Sequence, residues 1–275
     1  MTHSTDSDEY LAKKRFYASL LTVYGRKPVL EALQDPAIPV YRLHLATSNQ
    51  EGGVVRDIEK QAARRGVEVV RHSRESLSRI SKNRNQDQGV AADLECPHYR
   101  HYQDFLVEHR QDAVQGTAQR DKPWQLIALD RITNPQNLGM IIRSVAASPI
   151  AGLLLPTRGC APLSPLVIKA SAGTLFRCPI LRCDDLEEAL ADFRRAGGQV
   201  CVLSGAAEQV LADYGPASPV VFVLGNETEG VSRQVLQMAD ARVKIPMANG
   251  VESLNVAVTA ALLAFRGELS PTSQR

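Results

Sequence analysis

Two kinds of apolar spacing alternate along this chain. "RKPVLEAL" and "VRDIEKQAARRG" repeat their apolar residues at helical intervals, and a glycine closes the second. "VYRLHLA", "VEVVR" and "QGVAADLE" read as strands. Together they predict a small α/β domain over 21–97, behind a polar tail at 1–20. The periodicity then fades. Between Cys96 and Trp124 the chain is polar, which predicts a linker over 98–123 with a short helix near "YQDFLVEH".

After Trp124 the alternation returns with more contrast. "QLIALD", "AGLLLP", "CPILRC", "QVCVLS", "PVVFVLG" and "ARVKIPM" predict strands. "PQNLGMIIRSVAA" predicts a helix with Leu138, Ile141, Ile142 and Val145 on one side, and "LSPLVIKASAG" another. "DDLEEALADFRRAGG" predicts a third, with Asp184 and Glu187 at capping-box spacing and Gly197 as its stop. Continuous apolar strands belong in sheets covered on both faces. The expected class is therefore α/β: a mostly parallel sheet with helices on both faces over 124–268, then a tail at 269–275.

Parallel sheets hold ligands at the carboxyl ends of their strands. Three strand ends here are dense in Asn, Glu, Ser and Gly: "RITNPQNLG", "NETEG" and "MANGVESLN". Each alone reads as a turn; three together favour a site. The last leads into "VAVTAALLAF". Ser253 or Glu252 as a helix cap accounts for one or two of its polar residues and leaves Asn255 without a structural task.

Bulk properties narrow this picture only a little. At 275 residues, 44% hydrophobic and 23% charged, the chain is of ordinary globular composition. Its net charge of +2 neither demands nor excludes nucleic acid. Locally, Arg71 to Arg84 carries five Lys/Arg against one acid, either a solvated helix face or an RNA-facing edge. The five cysteines form no CxxC pair and no zinc spacing, which fits free thiols in a reducing cytoplasm. The opening residues lack an apolar signal core, and no apolar run is long enough to span a membrane. A cytoplasmic protein without a metal is expected. Neither GxGxxG nor GxxxxGK[ST] occurs, and no histidine follows Trp124, which disfavours nucleotide motifs and a Ser–His–Asp hydrolase.

Three motifs in order, "NPQNLGMIIR" (134–143), "LGNETEG" (224–230) and "IPMANGVESLNV" (245–256), resemble those of the SpoU–TrmH family of RNA 2′-O-ribose methyltransferases. "YGRKPVLEAL" and "QGVAADLE" resemble the start and end of that family's L30e-like substrate-binding domain. The resemblance implies S-adenosylmethionine as cofactor, a C-terminal trefoil knot, a homodimer through the catalytic domain, and RNA as substrate. It nominates Arg143, Asn137, Glu227, Ser253 and Asn255 as catalytic. It nominates Gly225, Asn226, Ile245, Met247 and Leu254 as the cofactor's contacts. Asn134, Thr228 and Ala257 depart from the residues common at their positions, which are aspartate, glycine and serine. A guanosine of large-subunit ribosomal RNA is the preferred target; transfer RNA, or a non-catalytic RNA- or ribosome-binding role, is the alternative.

The chemistry puts limits on the roles. Methyl transfer to a hydroxyl needs alignment and relief of the hydroxyl's proton. A guanidinium rarely gives up a proton, so Arg143 is easier to defend as a charge on phosphate or alkoxide than as a base, though the resemblance allows both. Six residues separate Asn137 from Arg143, a net rotation of about 240° on a helix, so the two act in different directions.

Overall fold

A computed structural model describes residues 16–17, 19–49, 52–96, 98–115, 123–215 and 219–269. The chain divides between Pro97 and His98 into two compact units.

In the first unit, β1 (Leu20–Tyr24), β4 (Val90–Glu95), β2 (Val40–Ala46) and β3 (Glu68–His72) form a sheet in that order. β4 runs antiparallel to both neighbours, and β2 and β3 are parallel. Helices α1 (Arg26–Gln34), α2 (Gly53–Arg64) and α3 (Arg74–Ser81) accompany it. The basic run is divided between β3, α3 and the following turn, and two of its charges are paired. Arg71 meets Glu59 at 2.6 Å and Arg74 meets the buried Asp87 at 3.5 Å.

A polar relay crosses this sheet. Thr22 Oγ1 donates to Asp93 Oδ1 at 2.7 Å. The buried His44 lies 2.9 Å from Asp93 Oδ2 through Nε2, and 2.9 Å from His72 Nε2 through Nδ1. Burial opposes ionisation of Asp93, but the hydrogen bonds from His44 and Thr22 more than reverse this and hold its pKa below the usual carboxylate range. His72 is pushed below the usual imidazole value by burial, then by the neighbouring His44 and Arg42.

The second unit is built on eight strands in the order β10-β12-β9-β11-β6-β7-β8-β5, every pair parallel. These are β5 (Tyr99–His101), β6 (Gln125–Leu129), β7 (Gly152–Pro156), β8 (Ile180–Cys183), β9 (Gln199–Leu203), β10 (Gln209–Val210), β11 (Val220–Leu224) and β12 (Ala241–Lys244). Residues alternate faces along a strand. Leu126, Ala128, Val221 and Val223 join a core with α4 (Tyr102–Gln115), α7 (Leu186–Arg195) and α8 (Arg233–Met238). α5 (Pro135–Ala146), α6 (Pro165–Ala170) and α9 (Val256–Ala264) make a second group, in which α5 packs on α6 and α9. Gly139 permits the α5–α6 contact: a Cβ there would come within 2.8 Å of Val167 O. A short α10 (Arg266–Leu269) ends the described chain.

Two expectations change. The described part of 98–123 is not a plain linker: β5 adds to the sheet beside β8, and α4 buries Tyr102, Phe105 and Leu106 in the core. Its polar composition hides this because so few of its residues face inward. The cap of α7 is Asp185, whose side chain accepts from Glu188 N at 2.9 Å, while Asp184 accepts from Thr157 Oγ1 at 3.0 Å.

The path after β12 positions the site. β12 lies second from one edge of the sheet, yet α9, which follows, packs on α5, β6 and β11. Residues 245–255 make that return without regular structure, turning through Asn249 and Gly250 at φ 55° and 73°. Among the described residues no helix is long and apolar enough to cross a membrane.

Candidate active site

Because β12, β9, β11 and β6 are successive neighbours in a parallel sheet, their carboxyl ends share one edge. A cavity of about 500 Å³ opens there, a size suited to a small organic ligand. Leu203, Leu224, Val243, Ile245, Met247, Leu254 and Val256 supply apolar walls, while Ser204, Glu227, Glu252, Ser253 and Thr259 supply polar groups. Gly225, Asn226, Ile245, Met247 and Leu254, the five nominated cofactor contacts, all line it. Ser204 and Gly205 line it too, and the sequence reading passed over them. Their signal was a fourth strand end with a small polar pair, weaker than the other three.

The floor of the second loop is close-packed backbone. A Cβ on Gly225 would stand 2.2 Å from Gly230 C and Val231 N, so only glycine fits where the loop closes on itself. Asn226 holds this turn together. Its Oδ1 accepts from Thr228 N at 2.9 Å and Glu229 N at 3.2 Å, and its Nδ2 donates to Arg131 O at 3.0 Å. Its Oδ1 and one of its two Nδ2 hydrogens are thus committed to the loop.

Capping sorts the asparagines. Asn134, just ahead of Pro135, caps α5 by accepting from Gln136 N at 2.8 Å and Asn137 N at 3.3 Å. Asn137 is therefore free of capping duty. Asn255, not Ser253 or Glu252, caps α9, with its Oδ1 accepting from Ala257 N at 2.8 Å. A backbone N–H can only donate, so this bond fixes which end of the Asn255 amide is nitrogen. Its Nδ2 then donates to Asn137 Oδ1 at 3.1 Å, and Asn137 Nδ2 donates to Glu227 Oε1 at 2.5 Å. One directional chain thus links all three motifs, and it ends on a carboxylate at the cavity wall.

Arg143 stands apart. It is exposed on α5, does not line the cavity, and its guanidinium makes no hydrogen bond or ion pair with another described residue. Asn137, six residues earlier on the same helix, is buried, in keeping with their different helical directions. Burial pushes the thiols of Cys96, Cys178, Cys183 and Cys201 up to about 12, which makes them poor nucleophiles. Among the described residues no group of three His, Cys, Asp or Glu is placed to hold a metal.

Residues 125–265 match the SpoU rRNA methylase family, and residues 22–100 match the RNA 2′-O ribose methyltransferase substrate-binding family. A Mycolicibacterium vanbaalenii protein described as an uncharacterized tRNA/rRNA methyltransferase is 36% identical over 88% of this chain and 74% of its own length. This chain belongs to the SpoU methylase family. It is an RNA methyltransferase of that family.

Solved structures show the same fold. The SpoU methyltransferase AviRb of Streptomyces viridochromogenes, in complex with AdoMet, superposes with a TM-score of 0.56. It is 23% identical and the match covers 96% of this chain and 95% of that one. An AdoMet-bound rRNA methyltransferase of Sinorhizobium meliloti superposes at 0.55, with 24% identity over 96% of this chain and 92% of that chain.

Proposed function

We propose that this SpoU methylase transfers the methyl group of S-adenosylmethionine to a ribose 2′-hydroxyl, on a guanosine of large-subunit ribosomal RNA. The observation that carries the reading is the hydrogen-bonded chain from Asn255 through Asn137 to Glu227, set beside a cavity lined by the nominated cofactor contacts. The match of residues 22–100 to a 2′-O ribose methyltransferase substrate-binding family supports the ribose as acceptor.

The residues fit the cofactor. The cavity combines apolar walls at Leu224, Ile245 and Leu254 with backbone exposed at Gly225, as an adenosyl group requires. Bound there, the sulfonium supplies an activated methyl group. This chain's own residues do the rest. Glu227 is held through Oε1 by Asn137 and keeps its second oxygen for a hydroxyl donor. Ser253 offers a further donor or acceptor at the same wall. Arg143 is a free exposed guanidinium, suited to clamp an RNA phosphate or to stabilise charge developing on the ribose oxygen. The return of 245–255 toward the middle of the sheet is the segment we read as threaded through a trefoil knot.

We also infer a homodimer through the second unit. Val251, Leu254 and Val258 are exposed at 53%, 38% and 49% along the third motif and α9, an apolar patch that a second copy would cover.

The test is incubation of the purified protein with labelled cofactor and total RNA from cells lacking the gene. The expected product is alkali-resistant 2′-O-methylguanosine in large-subunit RNA. Label confined to transfer RNA would move the target, and label on a base would reject the ribose reading.

A further inference from the structure

Arg131 directly follows Asp130 at the end of β6 and carries a left-handed backbone, φ 61°. A residue with a Cβ adopts that conformation at an energetic cost. Glycine would adopt it freely, yet an arginine stands there. What the arginine gains is visible in the second motif. Its carbonyl accepts from Asn226 Nδ2 at 3.0 Å. Its guanidinium donates to Glu229 Oε2 at 2.5 Å and to Gly230 O at 3.2 Å.

The neighbouring Asp130 completes the hold. Its N–H donates to Leu224 O at 2.8 Å, just before the loop, and its buried Oδ2 accepts from Ser232 N at 2.5 Å, just after it. Arg131 Nε lies 3.4 Å from Asp130 Oδ1. Two consecutive residues of one strand end thus grip another strand's loop at both ends and at its tip. That loop gives Gly225, Asn226, Glu227 and Gly230 to the cavity.

We propose that Arg131 is a positioning residue: paired with Glu229, it latches the 225–230 loop in the form that receives the ligand. Its effect on cofactor binding rests on the cavity being the S-adenosylmethionine site; its effect on the loop does not. The pair is not buried, with Arg131 and Glu229 side chains 38% and 66% exposed. Its contribution is accordingly modest, and the carbonyl contact adds to it.

Arg131→Gly separates latch from strain, since glycine relieves the backbone while deleting the guanidinium. In cofactor-free full-length protein, amide hydrogen exchange at 226–230 should quicken by about tenfold. Calorimetry should show S-adenosylmethionine binding weakened by about three- to tenfold. The Michaelis constant for cofactor should rise in step, with turnover at saturation little changed. Arg131→Glu combined with Glu229→Arg should recover part of the affinity that either change alone loses. Wild-type exchange in Arg131→Gly, or wild-type affinity, overturns the latch. Faster exchange in a protein whose wild type binds no cofactor upholds the latch on the loop and rejects the cofactor reading instead.

Discussion

Asn255 donates its side-chain amide to Asn137 at 3.1 Å, across 118 positions of chain. The same residue caps α9 through its oxygen. The two jobs can be separated. Asn255→Asp keeps the capping acceptor and loses the donor. Its urea-unfolding stability should stay near wild type while single-turnover methylation falls by about tenfold or more. Asn255→Ala should lose both, costing in addition about 0.5–2 kcal/mol of stability. Full turnover in Asn255→Asp would make the contact purely structural.

Arg143→Ala should leave cofactor affinity and stability near wild type, since an exposed residue away from packed contacts changes stability by only about 0.5 kcal/mol. Methyl transfer at saturating RNA and cofactor should fall by about 100- to 1,000-fold. Arg143→Lys should rescue little, because an ammonium lacks the planar fork that clamps a phosphate. A near-wild-type rate for Arg143→Ala would reduce Arg143 to a surface charge.

Gly225→Ala probes the tightest backbone approach in the site. The added methyl would meet Gly230 and Val231 backbone at 2.2 Å, so the loop must open. Calorimetry should detect at least a tenfold loss of cofactor affinity. Normal affinity would mean that the loop shifts without consequence for the cavity.

Light scattering on the full chain should give twice the chain mass at micromolar concentration. Val258→Glu, on the exposed side of α9, should shift the protein to monomer. A variant that stays dimeric would place the interface elsewhere.

The relay in the first unit predicts an acid-sensitive stability. His72 binds its proton less readily folded than unfolded, so stability should decline as pH falls below about 6.5. Asp93 is depressed, so its contribution is intact at neutral pH and goes only as pH falls below about 3.9, through its lower folded value. Urea midpoints between pH 7.5 and 5 should fall, and His72→Gln should flatten that slope. An unchanged slope in the variant would exonerate His72.

What the sequence carried was local. "VYRLHLA" is legible because apolar residues alternate with Arg42 and His44, "PVVFVLG" because its apolar run is uninterrupted, and the three polar strand ends because glycine and asparagine gather there. Three-residue β5 has too little pattern to read; it is a strand only because β8 lies beside it. The caps at Asp185 and Asn255 are decided by backbone angles at the helix boundary, which composition shifts by a residue or two. The pairing of Asn137 with Glu227, and of Arg131 with Glu229, spans 90 and 98 positions. Neither residue carries any sign of its partner.

The return from β12 to the middle of the sheet also sets an order in time. A growing chain presents Asn137 90 positions before Glu227 and 118 positions before Asn255, the cap of α9. Domains fold as they emerge, amino-terminal parts first. The first unit therefore has its whole sequence available while the cavity still lacks a wall. An interrupted translation product ending before Ile245 would hold the sequence of the whole first unit and lack the third motif and α9.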